Sequence, residues 1–518
     1  MRYTPAFLEL SPGLKDLQAG LTVAIVALPL SLAIAIASGV PPDRGLVTAI
    51  VGGFLVSALG GTRHQIGGPA GAFIVLVAAC VSAIGLDGLI LATVLSGIML
   101  AILGALRLGG AIRFVPYPVI LGFTAGIAVI IAASQLRDLL GLGLDGPEPG
   151  ALAAKLAALW QARASAQPGA LIVSALTIAT ILGVQRFAPR LPSLLLGVAV
   201  ATLAALVLPA ETISDRFGQL PGGLPMPVLP QITAATLLAA LPFALGFTLL
   251  GAIESLLSGM VADQMSGSRM RPNDELIGQG IANIGVGLFG GFCTTGTIAR
   301  TATNVKAGSR GPASGMIHAG LLLLFLIVAA PLLGAIPLAG LAGLLIVVSW
   351  KMIEWHALRS LWRIDRSEAA VAVITFLTVI LADLVMGIAV GTALAGLLFI
   401  ARMAQDGTAE PMDLPPDEQR EGEMIVHLRG PVFFASVARI ERVLDRLPDQ
   451  PRLMVLDMAG VSIIDQSGGQ MLADLVSRMA RRGCLVVLTG AQAGLAAQLP
   501  AGLARASDLE QARQMAGL

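Results

Sequence analysis

The stretch GLVTAIVGGFLVSALGGTRHQIGGPAGAF, residues 45–73, decides the fold. An apolar run ends at Gly60-Gly61, a short polar turn follows, and a new apolar helix begins at Pro69. The stretch ELIGQGIANIGVGLFGGFCTTGTIART, residues 275–301, repeats that layout. Its run ends at Gly290-Gly291 and a new helix starts near Gly296, about 230 residues further on. Gly-rich apolar segments also resemble one another by chance. Here the two stretches sit at matching places in two halves of the chain.

Composition sets the surroundings of both stretches. The 518 residues are 56% hydrophobic and 13% charged, with a net charge of +1, about half the charge of an ordinary soluble chain. No basic field argues for nucleic acid, and Cys80, Cys293 and Cys484 are too far apart for a metal or disulfide pattern. The charge is uneven: 27 of the last 117 residues carry it, against 38 of the first 401. That contrast predicts a membrane part over 1–404, an acidic, Pro-rich linker over 405–421 and a soluble domain over 422–518. The N-terminus is not expected to be a cleavable signal, because Glu9 and Asp16 interrupt it and the run from Leu21 to Val40 is long enough to span by itself.

Runs of the right length lie near 17–38, 44–60, 89–107, 116–136, 168–185, 193–209, 238–260, 275–290, 313–331, 336–350, 367–383 and 385–402. Two shorter segments start at the Gly-rich turns, near 69–85 and 296–308, and bring the count to fourteen. With the N-terminus inside, roughly sixteen basic residues fall in inner loops and five in outer ones, a positive-inside bias. An even count then puts both the N-terminus and the C-terminal domain in the cytoplasm. Seven spans per half, over about 14–210 and 235–403, place the two copies in opposite orientations, the inverted-repeat design of secondary transporters.

The two broken helices carry the expected chemistry. Pro69 suits a first helical turn, and Gly67, Gly68 and Gly71 allow close approach of a ligand to the backbone. Thr294-Thr295-Gly296-Thr297 plays the same part in the second half. Two helix N-termini meeting at the midplane would offer free N–H groups and positive dipole ends to an anion. The bland alternative is a pair of tight turns at the membrane surface, which would leave backbone groups unsatisfied within hydrocarbon. Glu254 and Arg300 lie inside apolar segments, where an ionisable residue is a functional candidate by default. Glu254 would carry a proton, or bind a cation with Ser258 one turn further on. Arg300 would attract the anion or hold Glu254 charged; the alternative is a Glu–Arg pair that only locks two helices. Arg63 and His64 read as cap and interface residues, His318 as structural, Cys293 as small packing and Asp383 as a solvated span end.

The motifs VALPLSLAIA (26–35), GTRHQIGGPAG (61–71), GAIESLLSGMVAD (251–263) and GGFCTTGTIARTATN (290–304) together resemble the sulfate-permease (SulP) anion transporters over about residues 10–403. The resemblance implies an all-α membrane domain of fourteen segments in two inverted seven-segment repeats. Its core domain (segments 1–4 and 8–11) would carry the substrate past a gate domain (5–7 and 12–14). It also implies that Ala70, Gly71, Ala72, Phe73, Gly296, Thr297 and Ile298 line the anion site with Arg300. Glu254 and Ser258 fall where the family places its coupling site. Pro29-Leu30 departs from the Pro-Gln of many sulfate transporters of the family and resembles its sodium-coupled bicarbonate members. Those tend to carry Asp where this chain has Glu254. The expected substrate is therefore a carboxylate-type anion (fumarate-like dicarboxylate or bicarbonate) or sulfate, moved with a proton or with sodium.

Residues 422–518 resemble a STAS domain, an α/β fold with a mixed sheet. The expected elements are strand–turn–strand in MIVHLRGPVFFA, strand, loop and helix start in LMVLDMAGVSIIDQSGGQML, a strand in CLVVLTG and helices near 436–446 and 467–482. Gln466 stands where related regulators carry a phosphorylated Ser, and Ser467 reads as a helix cap. The expected protein is a multi-pass transporter of the inner (plasma) membrane. It would form a homodimer and have no cofactor, no metal, no catalytic residues and no nucleic-acid partner. The rival readings are an uncoupled exchanger or channel, a nucleobase transporter of the same architecture, and an intramembrane enzyme, for which no catalytic motif is present.

Overall fold

In the computed structural model, helices end where Gly and Pro interrupt the apolar runs. The structure describes all residues except 1–2, 4, 10–12, 111–115, 145, 147, 150–151, 231, 383, 413–414, 416–419, 445–450, 497–498, 501 and 518. The chain divides into two compact units, Met1–Thr392 and Ala393–Leu518.

The first unit opens with α1 (Leu14–Ala37) and α2 (Pro42–Leu59), whose middle residues Thr48–Gly52 form a π-turn. Strand β1 (Gly67–Gly68) leads into α3 (Gly71–Ala105). Gly85, at φ 71° and ψ −174°, breaks α3 into two segments. Next come α4 (Tyr117–Leu140), α5 (Leu152–Gln161), α6 (Pro168–Phe187), α7 (Ser193–Ala205) and the short α8 (Ile213–Phe217). The second half repeats the order with α9 (Ala234–Ser266), α10 (Pro272–Leu288), β2 (Thr295–Gly296), α11 (Ile298–Lys306) and α12 (Ala313–Gly334). It closes with α13 (Leu338–Met352), α14 (Trp355–Ile364), α15 (Arg366–Leu381) and α16 (Leu384–Asp406). Counting α3 as two segments and setting aside α5, α8 and α14, the described residues give the fourteen segments expected.

Two helix bundles result. In the core bundle α1 packs on α12, α2 on α10 and α12, α3 on α9 and α10, and α11 on α9 and α1. In the gate bundle α4 packs on α13, α15 and α6, and α7 on α6 and α13. Without a hydrophobic drive between helices in lipid, close contact depends on small residues. Gly97 of α3 faces Gly280 of α10 so closely that a Cβ on Gly280 would lie 2.5 Å from the Gly97 carbonyl oxygen. Gly280→Val should therefore cost about 3 kcal/mol through overpacking. It should appear as a lowered melting temperature of the detergent-solubilised protein. Gly320 has open space around its Cβ direction, so Gly320→Val is the control that should leave the melting temperature unchanged.

The second unit holds a five-stranded sheet, β3 (Thr408–Pro411), β4 (Glu423–Val432), β5 (Leu453–Ile464), β6 (Leu485–Thr489) and β7 (Ala504–Arg505), in that order. β3 is antiparallel to β4 and the remaining pairs are parallel. Helices α17 (Val437–Leu444) and α18 (Gln466–Arg481) cover one face through Ile440, Leu472 and Leu475, and α20 (Leu509–Ala516), which follows the one-turn α19 (Ala493–Ala496), covers the other through Ala512.

Several expectations for this unit change. The segment 405–421 is not all linker, because Thr408–Pro411 pairs with the free edge of β4, which supplies the hydrogen bonds its own sequence does not favour. MIVHLRGPVFFA holds one bulged strand rather than two. The helix cap is Asp465, not Ser467: the Asp465 carboxylate accepts the Gly468 N–H at 2.8 Å, while Ser467 lies inside the first turn and is exposed. A cap must precede the helix to reach the free N–H groups.

Candidate functional site

The two Gly-rich turns meet. β1 and β2 pair antiparallel, Gly67 with Gly296 and Gly68 with Thr295, as two inverted copies must when they touch. The Ile66 carbonyl accepts the Thr297 N–H at 2.9 Å and the Thr297 hydroxyl at 3.1 Å. The Ile66 N–H goes to Thr301 Oγ1 at 3.1 Å, which also accepts the Ser258 hydroxyl at 3.0 Å. From this junction the helix of Gly71–Phe73 and α3 leaves on one side and α11 on the other, with Ala70 and Thr297 as their extended N-cap residues.

Unwound backbone inside a membrane unit needs partners, and α10 supplies most of them. Glu275, Gln279 and Asn283 are four residues apart and share one face; each is at most 2% exposed. Glu275 accepts the Gly61 N–H and the Ser255 hydroxyl, both at 2.9 Å. Gln65 donates to the same Ser255 hydroxyl at 2.8 Å. Asn283 accepts the Thr294 N–H at 2.9 Å, and the Asn283 and Gln279 amides both donate to the Thr294 carbonyl. The Thr48 hydroxyl, in the π-turn, accepts the Phe292 N–H at 3.0 Å. This stripe was not singled out in the sequence; its signal was the four-residue spacing of polar residues in the span 275–290.

Arg300 is 1% exposed. Its Nη2 donates to the Pro69 carbonyl at 3.1 Å and approaches Ser31 Oγ at 3.5 Å, while Nε and Nη1 have no protein partner. A Cβ on Gly68, at φ 153°, would collide with Nη1, so the glycine lets the guanidinium lie against the β1 tip. Glu254 is half-buried, and its Oε2 is buried without a partner. Glu254 and Arg300 form no ion pair within hydrogen-bond reach among the described residues, so they do not lock two helices together. Ser258 turns its hydroxyl to Thr301 and not to Glu254.

The structure gathers most of the expected site. Ala70, Ala72, Phe73, Gly296, Thr297 and Arg300 are buried at the junction, whereas Ile298 is 38% exposed. Gly71 faces the gate: a Cβ there would meet Met352 Sδ of α13 at 3.5 Å and Ile131 Cδ1 of α4 at 3.6 Å. Phe73 lies 6.0 Å from Phe247 of α9, centroid to centroid. Further along the core–gate seam, Leu76, Leu249 and Leu250 face Phe123, Leu384 and Ile388 across an apolar cleft. Cys293 packs against Thr93. His64 contacts Ser309 at 2.8 Å. His318 is fully buried with neither ring nitrogen hydrogen-bonded. Asp383 lies outside the described residues.

A sequence model of the sulfate permease family matches residues 14–375, and one of the STAS domain matches 415–503. The chain belongs to the sulfate permease family. This permease is 36% identical over 486 residues to the sulfate-transporter homologue YvdB of Bacillus subtilis (strain 168), covering 92% of this chain and 91% of that one. It is 30% identical over 503 residues to the bicarbonate transporter BicA of Picosynechococcus sp. (strain ATCC 27264 / PCC 7002 / PR-6), covering 92% and 88%. Among solved structures, the murine solute carrier 26 member A9 in the inward-facing state superposes with a TM-score of 0.85 at 19% identity over 98% of this chain and 93% of that one. The transmembrane domain of a cyanobacterial BicA gives 0.65 at 31% identity over 74% and 97%. The permease is thus a multi-pass membrane anion transporter with a C-terminal STAS domain, and its named relatives are transporters rather than enzymes.

Proposed function

We propose that this permease is a proton-coupled symporter of a carboxylate-type anion, a dicarboxylate or bicarbonate, or of sulfate, working by alternating access. The observation that carries the reading is the buried Arg300 guanidinium beside the paired tips, with two nitrogens, Nε and Nη1, left without protein partners. A buried cation and two helix starts suit an anion, because charge-assisted hydrogen bonds are strongest where water is excluded. The anion would sit against Ala70–Phe73 and Gly296–Ile298, on the core side of the gate. Glu254, with Oε2 buried and unpartnered and with Ser258 turned to Thr301, suits a proton better than a sodium ion, which needs a shell of oxygen ligands. The positive-inside bias supports a cytoplasmic N-terminus and STAS domain. The family resemblance supports a homodimer.

The test is a panel of labelled anions (sulfate, bicarbonate, fumarate, succinate, chloride) taken up by proteoliposomes with proton and sodium gradients varied independently. Uptake of one of them driven by an inward proton gradient alone is expected. Uptake that ignores both gradients would leave the uncoupled exchanger, and uracil or xanthine uptake without anion uptake would leave the nucleobase transporter.

Gly71 offers a local test. A single methyl fits at ordinary contact distance, so Gly71→Ala should retain uptake. Gly71→Leu pushes three further carbons toward Met352 and Ile131, which a Cβ already touches, and should abolish uptake. Normal uptake by Gly71→Leu would place the anion path elsewhere.

A further inference from the structure

Between α13 and α15 the gate bundle carries α14, Trp355–Ile364 (WHALRSLWRI), a ten-residue helix with no buried residue. It is too short to cross a bilayer. It is set off from its neighbours by extended residues at both ends, Ile353 at ψ 110° and Asp365 at φ −146° and ψ 106°. At 100° per residue, Trp355, Leu358, Leu361, Trp362 and Ile364 fall on one side, and His356, Arg359, Ser360 and Arg363 on the other. Trp355 is 49%, Trp362 61% and Ile364 82% exposed, while Leu358 and Leu361 are half-buried, so the two tryptophans and the isoleucine leave much of the apolar side uncovered. Trp350, at the end of α13, packs against Trp355, the two rings 5.2 Å apart between centroids and tilted by 43°.

The basic side is equally plain. Arg359 and Arg363 are one turn apart, and Lys351 and Arg366 flank the helix, all exposed. The nearby acids are engaged elsewhere: Asp365 caps α15 through the Ser367 and Glu368 N–H groups, and Glu354 accepts the Tyr117 hydroxyl of α4 at 3.2 Å.

We propose that α14 lies flat in the membrane interface as an anionic-lipid site. Its Trp, Leu and Ile face sits in the acyl boundary, and Arg359 and Arg363 hold lipid phosphate headgroups. The occupant follows from continuity and charge. Both neighbours of α14 are membrane segments, so the surface that meets its apolar side is the bilayer around them. An apolar face with Trp opposite a basic face is the pattern of an in-plane interfacial helix, and clustered Arg and Lys draw anionic lipids. Because α14 joins two gate helices and is tied to α4 by Tyr117, the lipid contact bears directly on the gate.

The test uses the full chain in proteoliposomes, with Trp160, Trp350 and Trp355 changed to Phe so that Trp362 alone reports. Brominated phosphatidylglycerol and brominated phosphatidylcholine are compared as quenchers at equal mole fraction. The expected result is quenching of Trp362 by both, roughly twofold stronger by phosphatidylglycerol, with that preference lost in Arg359→Gln/Arg363→Gln. Equal quenching by the two lipids would overturn the anionic-lipid site. Absence of quenching by either would put a protein partner on the apolar face and overturn the interfacial placement. A second reading needs no Trp substitution: phosphatidylglycerol co-purifying with the otherwise unaltered chain, counted by mass spectrometry, should fall in Arg359→Gln/Arg363→Gln. An unchanged count would likewise overturn the proposal.

Discussion

Replacing Arg300 with Gln should weaken anion binding by roughly thirtyfold or more, while leaving the solubilised protein as stable as before or more so. The reasoning has two halves. A hydrogen bond to a charged partner contributes about 1.5–3 kcal/mol, and Arg300 has two nitrogens, Nε and Nη1, whose N–H groups no protein atom takes up. Losing them, with the charge, accounts for the affinity loss. The stability half follows from burial. A guanidinium 1% exposed, without an ion pair, carries a desolvation cost that a neutral amide does not. Labelled-anion binding and a melting curve on the same preparation check both halves. Unchanged affinity, or a sharp fall in melting temperature with affinity intact, would make Arg300 a structural residue.

Glu254→Gln should uncouple the transporter. If one proton moves with each anion, an inward gradient of one pH unit supports about tenfold accumulation at zero membrane potential, because one pH unit is 1.36 kcal/mol. Glutamine has the shape of the protonated carboxyl and cannot release a proton. The variant should therefore equilibrate the anion and no longer concentrate it, whatever gradient is imposed. The buried, unpartnered Oε2 of Glu254 motivates the choice. Glu275 is the control carboxylate: it is fully buried, but both its oxygens are occupied, by Gly61 and Ser255. Glu275→Gln should lower stability by leaving the Gly61 turn under-bonded and should not by itself remove the response to pH. Proton-driven accumulation surviving in Glu254→Gln would sink the coupling assignment.

The sequence was most readable where hydropathy and Gly-Pro punctuation agree. The fourteen segments, the break in each repeat and the meeting of the two tips all follow from long apolar runs ending at Gly60-Gly61 and Gly290-Gly291. Glu275 was passed over because Pro272, Asp274 and Glu275 together look like an exposed first turn, where acids favour the helix dipole. In the fold the Gly61 turn lies over that first turn: a Cβ on Gly61 would collide with the Arg271 carbonyl. Burial there is set by a loop 214 residues away in sequence, which local pattern does not register. α14 was passed over for a different reason: ten residues with Arg at two positions fail any test for a span, although their 3.6-residue periodicity is clear. Ser467 was preferred to Asp465 although the helix begins at Gln466, directly after Asp465.

The central claim is that the transported anion binds between the β1 and β2 tips beside Arg300, on the core side of the gate. The most direct measurement is a structure of the permease solved with the anion that the uptake panel identifies. The account predicts density for that anion within hydrogen-bond reach of Arg300 Nε or Nη1 and of the helix starts after Ala70 and Thr297. Density only at another charged cavity, such as the one lined by Arg137, Asp138 and Arg216 in the gate bundle, with none at the paired tips, would contradict it.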